Sequence, residues 1–226
     1  MSELFLGVDG GATRSRARIR DAEGRLLGEG AGGPANTRLG IPRAIGAVLS
    51  ASRAAAAAAG LDEAGLRRLH AGLGLAGATG RRERERVLAE PLPFSSVTVD
   101  TDAYAAWLGA CGGRDGAILI VGTGSCGLAV VGGRRINVGG WGDAVSDDGS
   151  ANAIGRAALR RALWSLEGLA PASALADALL ARFGRDPEQI VEWAAAATKT
   201  DFAQFAPLVF EHAARRDPLG LALVEE

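Results

Sequence analysis

The first 140 positions carry apolar residues in short runs separated by glycine-rich turns; after residue 150 the apolar positions fall at helical spacing. Residues 4–9 form an apolar run ending in Asp9 and two glycines, the pattern of a buried strand stopped by a tight turn. Residues 14–21 alternate, with Ala17 and Ile19 on one face and arginines on the other, and residues 22–25 turn the chain into a third strand over 26–31. A helix is predicted over 41–60, alanine-rich, with leucine and isoleucine at helical spacing and Gly60 as its C-cap. Residues 69–75 read as a glycine-rich strand, 81–90 as a charged helix, 97–100 as a strand and 102–111 as a helix.

The opening pattern then recurs. Residues 117–121 read as a buried strand, 122–125 as a tight polar turn, 128–131 as a second strand, and 134–138 as a third after the turn at Gly132 and Gly133. Two copies of strand, glycine turn and strand, a hundred-odd residues apart, predict two domains of common ancestry, 1–112 and 113–226.

Charge and composition narrow the partners. With 25 basic and 26 acidic residues in 226, the chain has no basic excess of the kind nucleic-acid binders carry. Lys199 is the sole lysine, and the residues before it lack the glycines of a Walker-type phosphate loop. Cys111 and Cys126 are too few for a disulfide framework or a zinc site. Residues 116–133 carry no charge, but the glycine turn in their middle makes them two strands rather than a membrane span. The start of the chain lacks a signal-peptide pattern. A soluble, cytoplasmic protein with no nucleic-acid or membrane partner is expected.

A glycine turn at a strand end lets backbone N–H groups approach an anion with no Cβ in the way. Thr13, Thr123 and Ser125 add hydroxyl donors, and two such hairpins could hold the phosphates of a nucleotide from both sides. Asp9, just before the first turn, is placed to hold magnesium through water. Either turn taken alone is an ordinary hairpin. Gly122, Gly124 and Gly127 also satisfy the dinucleotide fingerprint, but that motif needs a helix to start inside it, and a strand is predicted there instead.

Four segments occur in order: Val8-Asp-Gly-Gly-Ala-Thr-Arg-Ser15, Val99-Asp-Thr-Asp102, Val121-Gly-Thr-Gly-Ser125, and the Gly139-Gly-Trp-Gly loop running to Ser150. Together they resemble the N-acetylglucosamine kinases and the related BadF/BadG-type ATPases of the sugar kinase, heat-shock chaperone and actin superfamily. The resemblance covers residues 4 to 218. It implies an α/β fold of two ribonuclease-H-like, actin-like ATPase domains with a nucleotide and sugar cleft between them. It also implies ATP and Mg²⁺ as cofactors, an amino-sugar substrate and a possible homodimer. Gly10, Gly11, Ala12 and Thr13 would form the first phosphate loop; Gly122, Thr123, Gly124 and Ser125 would form the second; Ala203 would lie near the nucleotide. Asp102 would be the catalytic base, Asn36 would bind a sugar hydroxyl, Gly140, Trp141 and Gly142 would line the sugar pocket, and Asp147 would accept sugar hydroxyls. Ala12, Thr101, Ser146 and Asp148 depart from the family pattern. The family continues with further strands where this chain stops, so the second domain is expected to be incomplete and the natural chain to continue past Glu226.

Phosphoryl transfer to a sugar hydroxyl needs positioning, charge neutralisation and a carboxylate to take the proton. Asp102 ends a strand at the domain junction; Asp100, two residues earlier, is its rival, and helix N-capping is the competing role for either. A tryptophan between glycines, as Trp141 is, can offer its face to a sugar ring. Trp107, Trp164 and Trp193 sit in helical stretches and read as core or interface; His70 and His212 read as structural. The expected function is ATP-dependent phosphorylation of N-acetylglucosamine or glucosamine at the 6-hydroxyl. The alternatives are a dehydratase-activating ATPase of the same superfamily and a non-catalytic sugar- or nucleotide-binding protein.

Overall fold

The computed structural model describes residues 3–225; Met1, Ser2 and Glu226, which frame the two expected domains, lie outside the described residues. Contacts divide the chain into two compact units. The first comprises residues 1–118 with 130–133, and the second residues 119–129 with 134–226.

The first unit is built on a five-stranded sheet. Strands β1 (Leu4–Gly10), β2 (Ser15–Asp21) and β3 (Leu26–Gly32) form an antiparallel meander, and β4 (Leu69–Leu75) and β5 (Ser96–Thr101) add in parallel on the other side of β1, giving the order β3-β2-β1-β4-β5. Strict alternation in β1 and β2 buries Leu4, Leu6, Val8, Ala17 and Ile19 on one face. That face packs against Ile41, Ile45, Val48, Ala51 and Ala55 of helix α1 (Ile41–Ala58). The contact is close because β3 presents glycine to the helix: a Cβ on Gly30 would lie 2.2 Å from the Ala51 carbonyl oxygen. The short helix α2 (Glu63–Leu66) returns the chain to β4. Helix α3 (Arg81–Leu88) follows β4, and helix α4 (Asp102–Cys111) begins where β5 ends.

Helix α4 covers the opposite face of the sheet, since a Cβ on Gly74 would meet the Ala105 methyl at 2.3 Å. Register carries that face across three strands: Asp9 pairs with Gly74 and Gly74 with Asp100. Asp9 therefore lies on the side of the sheet from which Asp102 starts its helix. The first strand was expected to be buried; only alternate residues are, and Phe5 on the helix α4 side is 42% exposed.

Strands β6 (Gly116–Val121), β7 (Ser125–Val131) and β8 (Arg134–Gly139) form a three-stranded sheet in sequence order. The dinucleotide fingerprint at residues 122–127 runs into a strand and lacks the helix that the Rossmann motif starts. Strand β6, expected to be buried, is a correction: Leu119 is 75% exposed and Val121 60%, because its side chains alternate and one face of the meander is uncovered. Trp107 of α4 is buried, and its indole N–H donates to the Gly116 carbonyl at 3.1 Å.

The remainder is helical: α5 (Ala151–Leu166), α6 (Ala174–Ala181), α7 (Pro187–Ala196), α8 (Lys199–Ala203), α9 (Ala206–Ala214) and α10 (Pro218–Glu225). Leu159, Leu175, Leu179, Leu180 and Val209 fill its core, and Trp193 packs edge-on against Phe183, Phe202 and Phe205. Among the described residues no helix is long and apolar enough to cross a membrane.

Candidate active site

In the first unit the chemistry collects at the C-terminal ends of β1, β4 and β5. The turn after β1 closes on itself, Gly11 N–H donating to the Arg14 carbonyl at 3.0 Å. Two neighbouring segments hold it: Ala76 N–H donates to the Gly10 carbonyl at 2.7 Å and Ala35 N–H to the Gly11 carbonyl at 3.1 Å. The amides of Ala12 and Thr13 are left without a protein partner among the described residues. Asn36 follows Ala35, so the bond that steadies the turn also places this side chain. Its Oδ1 accepts Arg38 N–H at 3.0 Å and caps the 3₁₀ turn Thr37–Leu39, leaving its amide NH₂ as the group a ligand would meet.

Asp102 opens α4, but the cap is its neighbour: the Thr101 hydroxyl accepts Tyr104 N–H at 3.1 Å. This separates Asp102 from the capping role that competes for it. The cap is thus supplied by Thr101, and the Asp102 carboxylate makes no capping bond to Tyr104. Burial raises the Asp102 pKa, opposed by the Ala103 N–H it accepts and reinforced by the negative charge of Asp9. A carboxylate held above its ordinary range is a better proton acceptor. Asp100 has a different neighbourhood, with Arg84 of α3 at 3.8 Å and Thr101 N–H donating to its Oδ1. Sequence reasoning missed Arg84 because nothing local ties it to a position 16 residues later.

In the second unit the turn at 122–125 closes over one residue fewer than the first. Gly122 N–H donates to the Gly124 carbonyl at 2.9 Å, and the amides of Thr123 and Gly124 are without protein partners among the described residues. The start of α5 supports it: Ala151 N–H reaches the Gly122 carbonyl at 2.9 Å and Asn152 N–H the Thr123 carbonyl at 3.3 Å. The first amides of α5 are therefore spent on holding the turn. The loop from Gly140 to Gly149 folds onto this turn. Asp147, buried and in the left-handed region at φ 70°, accepts Ser125 N–H at 3.3 Å. The Ser125 hydroxyl donates to the Asp148 carbonyl at 2.7 Å. Asp143 pairs with Arg156 of α5 at 3.0 Å, which fixes the loop's other end.

Trp141 is 64% exposed, so packing does not account for it. Gly140 lies against Cys126, where an added Cβ would come to 2.9 Å. Gly142 accepts Val145 N–H on its carbonyl and keeps the loop tight. Ala203 ends α8, which lies against α5. Among the described residues no three His, Cys, Asp or Glu side chains are grouped to hold a metal. Asp9, with Asp102 in electrostatic reach, suits Mg²⁺, which takes one or two carboxylates and completes its shell with water and phosphate oxygens.

Residues 6–226 match the BadF/BadG/BcrA/BcrD ATPase family. The chain is 39% identical over 222 residues to the glucosamine kinase GspK of Vibrio cholerae serotype O1, which takes in 98% of this chain and 76% of that protein. It is 29% identical over 178 residues to the N-acetylmuramic acid/N-acetylglucosamine kinase of Clostridium acetobutylicum, covering 73% of this chain and 55% of the other. A crystal structure of a provisionally assigned N-acetylglucosamine kinase from Chromobacterium violaceum is similar with a TM-score of 0.89 at 36% identity, over 98% of this chain and 78% of that one.

Proposed function

The chain belongs to the BadF/BadG/BcrA/BcrD ATPase family, and from that premise we propose that it is an ATP-dependent kinase phosphorylating an amino sugar, glucosamine or N-acetylglucosamine, at the 6-hydroxyl. The observation that carries the reading is Asp102: a desolvated carboxylate, relieved of helix capping and raised in pKa, beside Asp9 at the end of the first strand.

The sugar's 6-hydroxyl oxygen attacks the γ-phosphorus of ATP, the bond from that phosphorus to the bridging oxygen breaks, and ADP leaves. Asp102 takes the hydroxyl proton as the new bond forms. Asn36 and Asp147 hold sugar hydroxyls, and Gly140, Trp141 and Gly142 lie along the ring. Gly10, Gly11, Ala12 and Thr13, with Gly122, Thr123, Gly124 and Ser125, offer main-chain and hydroxyl donors to phosphate; Ala203 is assigned to the nucleoside. Asp9 would hold Mg²⁺ through water, and the ion would supply charge neutralisation at the phosphates. The reaction belongs in the cytoplasm, where ATP is supplied, and a homodimer is the proposed assembly.

Several observations support this reading. Each turn leaves two adjacent amides open, and the α5 N-terminus backs the second turn. The test is ADP formation measured with glucosamine, with N-acetylglucosamine and with no sugar. Sugar-dependent ADP release, with one sugar giving the higher kcat/KM, is expected. ADP release indifferent to sugar would replace the kinase with an ATPase that acts on another partner.

A further inference from the structure

The second turn differs from an ordinary glycine hairpin in what lies behind it. A Cβ built on Gly124 would come within 2.9 to 3.1 Å of all three carboxyl atoms of Asp147, so this carboxylate fills the space a side chain on the turn would need. Asp147 is 4% exposed and makes no ion pair among the described residues. It adopts a backbone conformation that side chains other than Asn, Asp and Gly rarely take. A buried carboxylate persists only where hydrogen bonds satisfy it. Here its Oδ1 accepts the Ser125 amide, its carbonyl accepts Ser150 N–H at 3.1 Å, and the next residue's carbonyl accepts the Ser125 hydroxyl.

We propose that Asp147 is a positioning residue for the second phosphate turn: it binds the Ser125 amide and buttresses Gly124, so that one side chain of the sugar loop fixes the shape of the loop that receives ATP. This rests on the reading that residues 122–125 meet the phosphates. With Oδ1 engaged by Ser125, Oδ2 is the oxygen left for a sugar hydroxyl. Sugar and nucleotide are then linked through a single carboxylate, and loss of the carboxylate weakens nucleotide binding even when no sugar is present.

The test uses the whole chain with Asp147→Gly and Asp147→Asn. Glycine accepts the left-handed backbone and removes the carboxylate; asparagine accepts it too and keeps an oxygen for Ser125. Titration calorimetry with Mg-ATP in the absence of sugar is expected to show D147G weakened about tenfold, the scale of one lost hydrogen bond with a reshaped turn. D147N should recover most nucleotide affinity while its kcat/KM for sugar stays low. Melting temperatures within a few degrees of wild type certify that the comparison is between folded proteins. Equal nucleotide affinity in wild type and D147G, with sugar affinity lost, overturns the proposal and makes Asp147 a sugar ligand alone. A wild-type chain that binds no nucleotide overturns the underlying reading and the proposal with it.

Discussion

The turn at residues 10–14 is held by main-chain groups alone, from Arg14, Ala35 and Ala76, whereas the turn at 122–125 adds two contacts that depend on a particular side chain, Asp147 to the Ser125 amide and the Ser125 hydroxyl to Asp148. Both leave two adjacent amides open, although Gly11 bonds a carbonyl three residues ahead and Gly122 one only two ahead. The first can tolerate Ala12 where the family favours glycine, because no side chain reads that position. The second has traded that tolerance for a link to the loop at residues 140–149. Main-chain support makes a turn robust; side-chain support makes it responsive to what the side chain binds.

The largest effect should fall beside the first turn and leave both turns intact. Asp102→Asn is expected to lower turnover by about 10²–10⁴-fold with sugar affinity nearly unchanged, while Asp100→Asn, already paired with Arg84, loses far less. A D102N enzyme with near-normal kcat in a steady-state assay moves the base to Asp100.

Gly124→Ala is next. Its methyl group would press on the Asp147 carboxylate, and ATP affinity by calorimetry should fall about tenfold. The same measurement on Ala12→Gly in the first turn should stay within about twofold, since glycine needs only main-chain support there. Equal losses in the two variants would erase the distinction between the turns. Thr123→Val should cost several-fold in ATP affinity, about the value of one hydroxyl hydrogen bond, in a protein that remains folded.

The smallest effect is on stability and tests the electrostatics of Asp102. Its folded-state pKa is raised, so its contribution favours the fold below the unfolded-state titration range and is lost as pH rises through the raised value. Asp102→Asn should therefore melt slightly higher than wild type at neutral pH, and the gap should close as pH falls through the aspartate range. A gap that widens in acid would mean the carboxylate is stabilised in its charged form. The acid limb of kcat/KM should lie above the ordinary aspartate range for the same reason.

Much of the first unit was legible because its signals are local. Period-two alternation fixed the faces of β1 and β2, and glycine pairs marked where strands stop. The four motifs in order identified the family, and the match over residues 6–226 bears this out. Burial was the weaker inference. Residues 117–121 look like a buried strand, yet Leu119 and Val121 face solvent, because an apolar run says what could be covered and nothing about whether a layer covers it.

The sequence by itself determined the turns, the strand periods and which residue types stand near them, since each depends on neighbours within a few positions. Only the tertiary structure decided their partners. Arg84 meets Asp100 because α3 and β5 are adjacent, Thr101 takes the cap and releases Asp102, and Asp147 reaches Gly124 across 23 positions of chain. Contacts of that kind come from folding geometry rather than from spacing, and a single sequence records the two ends without the bond between them.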